Sequence, residues 1–379
     1  LWCGWAGLPV WNRWLPGLVL VLTLPWAAGE ARRAWRQSAW WTNAALVWGV
    51  FALFLALRLV NPEIHWGEKP MDSALLHGIL RSERFPPVDP WFAGSPLNYY
   101  FFGLLPHAFL ARALGIAPTV AYNLIAATVP ALTAGAAASL GWLLAGRRAG
   151  AVLAAVAAQL TGSAAALFRF RELLLDPSFA GFWSASRVIP NTINEFPVWT
   201  ALFGDLHAHF LAFPGFLAAV WAASLVATRR LRGRRAAVLV GGVCGIQVMS
   251  NSWEVPGLAG VVLLASLALV AGATDRRLVT RARFLLGALA VATLVSLPWW
   301  LTVRPAAGGV RWTTGSQVQL AHLAELFGVA GALVLVAAGA TLLARPRGGH
   351  PRWGWLLVAG GLAAVAAPEL VTVGDRMNT

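Results

Sequence analysis

Glu68 and Asp72 stand four residues apart in the stretch Asn61-Pro62-Glu63-Ile64-His65-Trp66-Gly67-Glu68-Lys69-Pro70-Met71-Asp72. If the chain turns helical at Pro70, both carboxylates face one cavity. Two carboxylates so placed can take a proton from a sugar or water hydroxyl, or hold a divalent cation against a phosphate. The plainer alternative is a solvated loop whose acids balance Lys69 and Arg81. A second constellation, Asp205-Leu206-His207-Ala208-His209, follows Asn194-Glu195-Phe196-Pro197 and leads into an apolar run. On a helix Asp205 and His209 share a face, whereas on an extended lead-in Asp205 and His207 are the neighbours. Either way the trio can bind phosphate through imidazole donors or help to coordinate a metal. Glu68, Asp72, Asp205 and His209 are therefore the candidate ligands for Mg²⁺ or Mn²⁺. The spacing of two histidines around a Glu that marks a zinc protease is absent.

Around these groups lie residues suited to lining a substrate cavity. Lys69, Asp89, Trp91, Asn98, Tyr99 and Tyr100 fall in the same long loop, and two of the chain's three tyrosines are adjacent there. Such rings anchor a helix at the headgroup level or offer a platform to a lipid chain or sugar face. Asn194 and Glu195 precede the histidine segment, and Asn251, Trp253 and Glu254 form a short polar break between apolar runs. Asp375 and Arg376 add a late charged pair, and His322 with Glu325 a weaker one.

The elements that must hold these residues are membrane helices. Of 379 residues, 58% are hydrophobic and only 12% charged, against about a quarter charged in soluble domains. That composition excludes a soluble enzyme and a compact nucleic-acid-binding domain, despite a net charge of +14. Apolar stretches near the length of a membrane crossing fall at 10–28, 40–60, 119–145, 149–168, 206–228, 236–250, 255–273, 284–303, 323–343 and 353–372. The segment 98–115 is apolar but short and carries Asn98, His107 and Arg112, so it is expected to lie in the interface. Alternate loops then separate by charge. The arginines of 32–36, 147–148, 229–235, 276–283 and 345–352 share one side with only Glu30 and Asp275 as acids, and that side is assigned to the cytoplasm.

All the polar clusters fall on the opposite, outer side. The expected fold is all-α, a polytopic integral membrane bundle forming a single transmembrane domain over 1–379. Interfacial helices are expected in its first outer loop, and the loops 61–118, 169–205 and 304–322 form the site. The span interiors are mostly Ala, Leu, Val and Gly, which does not suit a channel. No phosphate-binding glycine loop with a Lys and no nucleophile elbow is present. Cys3 and Cys244 have no metal-site spacing.

Several motifs, in order, carry a family likeness: Gly67-Glu68-Lys69-Pro70-Met71-Asp72, Pro87-Val88-Asp89-Pro90-Trp91-Phe92-Ala93-Gly94, Asn98-Tyr99-Tyr100, the stretch from Arg187 to Pro197, Gly204-Asp205-Leu206-His207-Ala208-His209, Asn251-Ser252-Trp253 and Gly374-Asp375-Arg376-Met377-Asn378-Thr379. They resemble the bacterial and archaeal YYY membrane protein family, a domain of unknown function. Two departures stand out. Phe101 occupies the third position of the tyrosine triplet, and Ala208 replaces a proline between the two histidines. The family is similar to the GT-C superfamily of polytopic glycosyltransferases that use lipid-phosphate-linked sugars. The resemblance implies further spans after the last motif, an acidic base or metal ligand in the first outer loop, and an outer substrate cavity.

The expected activity is transfer of a sugar, with inversion, from a polyprenyl-phosphate donor to a glycan, lipid or protein acceptor at the outer face of the plasma membrane. Glu68 or Asp72 activates the acceptor. Asp205, His207 and His209 contact donor phosphate or metal, and Arg187 or Arg376 neutralises the leaving phosphate. Membrane lipids are partners and nucleic acid is not. The alternative is a non-catalytic lipid or polysaccharide transporter, or a scaffold for envelope assembly, which would keep its phenotype when Glu68 and Asp72 become amides.

Overall fold

The computed structural model describes residues 14–83, 85–92, 94–160, 164–165, 175, 179–190, 192–268, 275–304, 307–312, 318–343, 351–367 and 371–375. Its helices are, in chain order, α1 (Trp14–Ala34), α2 (Ser38–Val60), α3 (Lys69–Arg81), α4 (Leu105–Leu114), α5 (Pro118–Ala145), α6 (Arg148–Leu160), α7 (Phe179–Ala185), α8 (Pro197–Phe203), α9 (Ala208–Ala227), α10 (Gly233–Ser250), α11 (Val255–Ala268), α12 (Asp275–Thr302), α13 (Leu320–Leu343) and α14 (Pro351–Ala366). Each of the ten apolar runs holds a helix. Among the described residues Ser38–Val60, Pro118–Ala145, Ala208–Ala227 and Leu278–Thr302 are long and apolar enough to cross a membrane. Arg148–Leu160, Ser252–Ala268, Leu320–Val336 and Arg352–Ala366 are shorter apolar helices.

α5 is the hub: α2, α6 and α9 pack against it, and α9 leads on to the closely packed pair α10 and α12. Small residues allow these approaches. A Cβ on Gly241 would sit 2.4 Å from the Ala288 carbonyl, and one on Gly245 would sit 2.7 Å from that of Ala292. The segment 98–115 does not cross. Its helix, α4, has 10 residues and so spans about 15 Å, half a hydrocarbon core.

α3 is amphipathic, and its buried stripe of Leu75, Leu76 and Ile79 joins a core with Phe101, Leu104, Tyr122, Leu206, Phe210 and Trp299. Asp72 occupies the next position up that same stripe, which is why its carboxyl enters the core.

One element departs from the helical expectation. The loop 304–322 is not free of regular structure, because β1 (Ala307–Trp312) pairs antiparallel with β2 (Val371–Asp375), with Val310 opposite Val373. Backbone groups outside a helix need partners, and the alternating Val371-Thr372-Val373 suits a ladder.

A carboxylate and imidazole site at one end of the bundle

The last turn of α2 and the first turns of α5, α9 and α11 meet at one end of the bundle, with the last turns of α10 and α12. Cross-links there tie the loops together. Tyr100 Oη lies 3.0 Å from Ser252 Oγ. Asn98 Nδ2 donates to the Arg304 carbonyl at 3.2 Å, and its Oδ1 accepts from the Arg304 N–H at 2.7 Å. Tyr122 Oη donates to the Gly204 carbonyl at 3.1 Å.

Two chain segments build the site. α3 starts after a tight turn in which Trp66 and Gly67 take φ of 76° and 61°. Glu68 caps the helix, and Asp72 N–H donates to the Glu68 carbonyl at 3.0 Å. Opposite it, α8 ends at Gly204 in the left-handed region with φ 71°, where a Cβ would meet Arg58 Nη1 at 2.8 Å. Glycine is required there for both backbone and space. The chain then runs extended until α9 begins at Ala208, with His207 as its cap at φ −62° and ψ 154°. Of the two geometries open to the sequence, the extended lead-in is therefore realised, and Asp205 and His207 face the same way.

Four residues of helix and two of extended chain cover about the same 6 to 7 Å. Glu68 and Asp72 therefore meet His207 and Asp205 as two rungs. In the outer rung Glu68 Oε2 lies 2.9 Å from His207 Nε2. The contact continues: His207 Nδ1 faces His209 Nδ1 at 2.7 Å, His209 Nε2 is 3.3 Å from Glu195 Oε2, and Glu195 Oε1 is 3.5 Å from Arg187 Nη2. Thr200 Oγ1 also donates to Glu195 at 3.5 Å, and the Arg187 guanidinium stacks 3.9 Å over Trp183. His207 Nε2 faces Glu68 at hydrogen-bond distance, and the two imidazoles meet through their Nδ1 atoms between two carboxylates.

The hydrogen bond from His207 holds Glu68 below its ordinary value, against the cost of burial. Burial pushes the His207 imidazole down, but its hydrogen bond to Glu68 and the charges of Glu68, Asp205 and Glu195 outweigh this and raise it. Burial likewise raises Glu195, and His209 and Arg187 reverse the sign.

The inner rung is different. Asp72 has no exposed surface, and neither of its oxygens has a hydrogen-bond partner; Asp205 Oδ1 is also unpartnered. Burial, then the neighbouring Asp205 and Glu68, push the Asp72 carboxyl well above the usual carboxylate range. Asp205 is raised by burial too, with the neighbouring Asp72 acting against it. Two carboxyls side by side in a dry core disfavour the doubly charged state, which favours the neutral form of Asp72. Tyr99, pressed by burial and by both acids, keeps its phenol proton, and its ring centroid lies 6.3 Å from that of His207.

Glu68 and Asp72, which the sequence allows to face one cavity, differ in their access to it. Glu68 is exposed and Asp72 is sealed in the core. Among the described residues no group of three or more His, Cys, Asp or Glu side chains is placed to hold a metal ion. Glu68 lies against His207 and His209 against Glu195.

Other expected residues serve locally. Asp89 Oδ1 accepts from the N–H groups of Trp91 and Phe92 in a turn remote from the rungs, and Trp91 is exposed. Asn194 Oδ1 closes a turn by accepting from the Ile189 N–H and the Thr192 hydroxyl. Asn251 accepts from Trp253 N–H at the start of a single 3₁₀ turn (Ser252–Glu254), Trp253 is half-exposed, and Glu254 is bonded to Gln247. Asp375 pairs through its backbone with Ala307, and Arg376 lies outside the described residues. Lys69 sits beside the site, 4.8 Å over the Phe203 ring. Arg58 was not foreseen. As a basic residue at the end of an apolar run it reads as an interfacial anchor, yet its Nε donates to Asn123 Oδ1 at 2.8 Å inside the bundle.

An all-α polytopic membrane protein with a polar site at one end of its bundle is the class these features define. The chain belongs to the uncharacterized membrane protein family DUF2298, whose model matches residues 1–374. No curated protein and no solved structure matches it.

Proposed function

We propose that the protein is a glycosyltransferase that moves a sugar from a polyprenyl-phosphate-linked donor to a glycan, lipid or protein acceptor at the outer face of the plasma membrane. The observation that carries this reading is the exposed Glu68 carboxylate backed by the His207, His209 and Glu195 chain. The acceptor O–H gives its proton to Glu68 as its oxygen attacks the anomeric carbon, and the bond to the donor phosphate breaks with inversion. One base suffices, so the buried Asp72 is not needed as a nucleophile. His207 holds Glu68 charged and oriented for this step. Tyr99 and Tyr100 offer ring faces to the sugar. The arginine-rich loops of the sequence support an outer location for the site.

The test is transfer of labelled sugar from a panel of polyprenyl-phosphate sugars by the purified protein, with Mg²⁺, with Mn²⁺ and with a chelator. Turnover that Glu68→Gln abolishes supports the reading. A folded wild-type protein inactive with every donor, in cells where Glu68→Gln has no envelope phenotype, sinks it in favour of a transporter or scaffold.

A further inference from the structure

Beside the outer rung lies a cavity of about 400 Å³ lined by Arg58 and Lys69, with Asn61, Trp66, Leu57 and Leu202 among its walls. Both cations are nearly sealed, 5% and 6% exposed. Among the described residues no carboxylate lies within ion-pair distance of either. Arg58 spends its contacts on neutral acceptors, Asn123 Oδ1 and, at 3.2 Å, the Glu63 carbonyl. Lys69 has the face of Phe203. Glu63, which also lines the cavity, is engaged with His65 at 3.2 Å.

Two buried like charges without a counter-ion are costly, and the cost shows at Lys69. Burial and then the Arg58 charge hold its ammonium below the usual value, against the pull of Asp205 and Glu63. An anion in the cavity would relieve both cations, and a guanidinium beside an ammonium is a donor set suited to phosphate oxygens. The surroundings indicate how the phosphate arrives. Leu57 belongs to the last turn of the membrane helix α2, and Leu57, Leu202 and Trp66 are 40%, 41% and 71% exposed. Apolar walls around a charged floor, at the level where a span ends, match a lipid whose headgroup enters while its chains stay in the bilayer.

We propose that this cavity binds the phosphate of a lipid headgroup through Arg58 and Lys69. Resting on the transferase reading, the lipid is the polyprenyl-phosphate donor, and the donor phosphate sits here and not on the histidines, whose Nδ1 atoms face each other and whose Nε2 atoms face Glu68 and Glu195.

The test titrates the full chain, in nanodiscs of zwitterionic lipid, with polyprenyl phosphate and separately with inorganic phosphate, reading binding by native mass spectrometry. Arg58 also anchors the chain at Asn123 and Glu63, so Lys69→Gln is the variant that separates binding from folding. The expected result is saturable lipid binding weakened about tenfold or more by Lys69→Gln, with the melting temperature unchanged and inorganic phosphate far weaker. Equal lipid binding by wild type and variant overturns the proposal. Inorganic phosphate binding as tightly as the lipid overturns the lipid assignment and makes the source a free ion. Neither sugar nor acceptor is present, so failure of the transferase reading leaves this result intact. Transfer by Lys69→Gln with an unchanged KM would remove the donor from the cavity while leaving the transferase standing.

Discussion

The two rungs join the same helix to the same extended segment, one turn apart, and their carboxyls behave oppositely. Glu68 is exposed, bonded to His207 and held charged. Asp72 is sealed, unpartnered and held neutral. Residue type does not separate them, since each is an acid facing a polar group of the same extended segment. What separates them is the partner and the water: an imidazole that can donate stabilises the anion, whereas a second acid in a dry core stabilises the proton. Acid and base roles are set by environment here, as in any site with two unlike carboxyls.

The sharpest way to break this contrast is activity. On the proposed transferase function, Glu68→Gln should cut transfer by about 10²- to 10⁴-fold, the usual worth of a general base. Asp72→Asn, which keeps the shape of a group already neutral, should stay within about tenfold of wild type. Equal losses in a labelled-sugar assay would erase the functional difference between the rungs.

Gly204→Ala should disturb both rungs together, because Gly204 sets the turn that aims Asp205 and His207. The left-handed φ alone costs about 1–2 kcal/mol, and the contact with Arg58 adds to it. Thermal denaturation of the detergent-solubilised protein measures this, and an unchanged midpoint would refute the positioning role.

Stability against pH sharpens the comparison further, since the rungs have opposite signs. Glu68 is lowered from 4.5, so its contribution is present above that value and is lost as pH falls through its lower folded value. His207 is raised from 6.5, so its share is full below that value and disappears as pH rises through the higher folded one. The outer rung therefore supports the fold best between the two. Asp72 is raised from 3.8, so the native state binds more protons and the inner rung costs stability increasingly as pH climbs above 3.8. Denaturation midpoints of Asp72→Asn across pH should lose that decline, and those of His207→Gln should lose the alkaline one. The smallest effect of Asp72→Asn is expected in acid, below 3.8, where the carboxyl is protonated in both states, whereas the substitution should raise stability at neutral pH. A large loss there would mean that Asp72 is charged and paired after all.

Much of this was legible in the sequence, for identifiable reasons. Hydropathy located the long helices among the described residues because lipid demands long apolar runs, and the shortness of 98–115 agrees with its 10-residue helix. Spacing brought out Glu68, Asp72, Asp205 and His207, because helix and strand periods are fixed. Spacing could not say that Asp72 lies on the stripe of Leu75, Leu76 and Ile79, since that depends on which face of α3 the bundle covers. Glu195 was noted as a cavity residue, but its contact with His209 depends on how α8 folds back. Arg58 escaped notice because a basic residue closing a span is ordinary, and only packing against Asn123 and Gly204 makes it otherwise.

The extended segment between Gly204 and Ala208 also acts as a vernier. Its side chains alternate, so Asp205 and His207 reach α3 while Leu206, 1% exposed, fills the core between them. Insertion or deletion of a single residue there would invert the phase, sending the leucine toward the carboxylates and both polar groups into the apolar interior. The segment thus tolerates substitution far better than any change in its length.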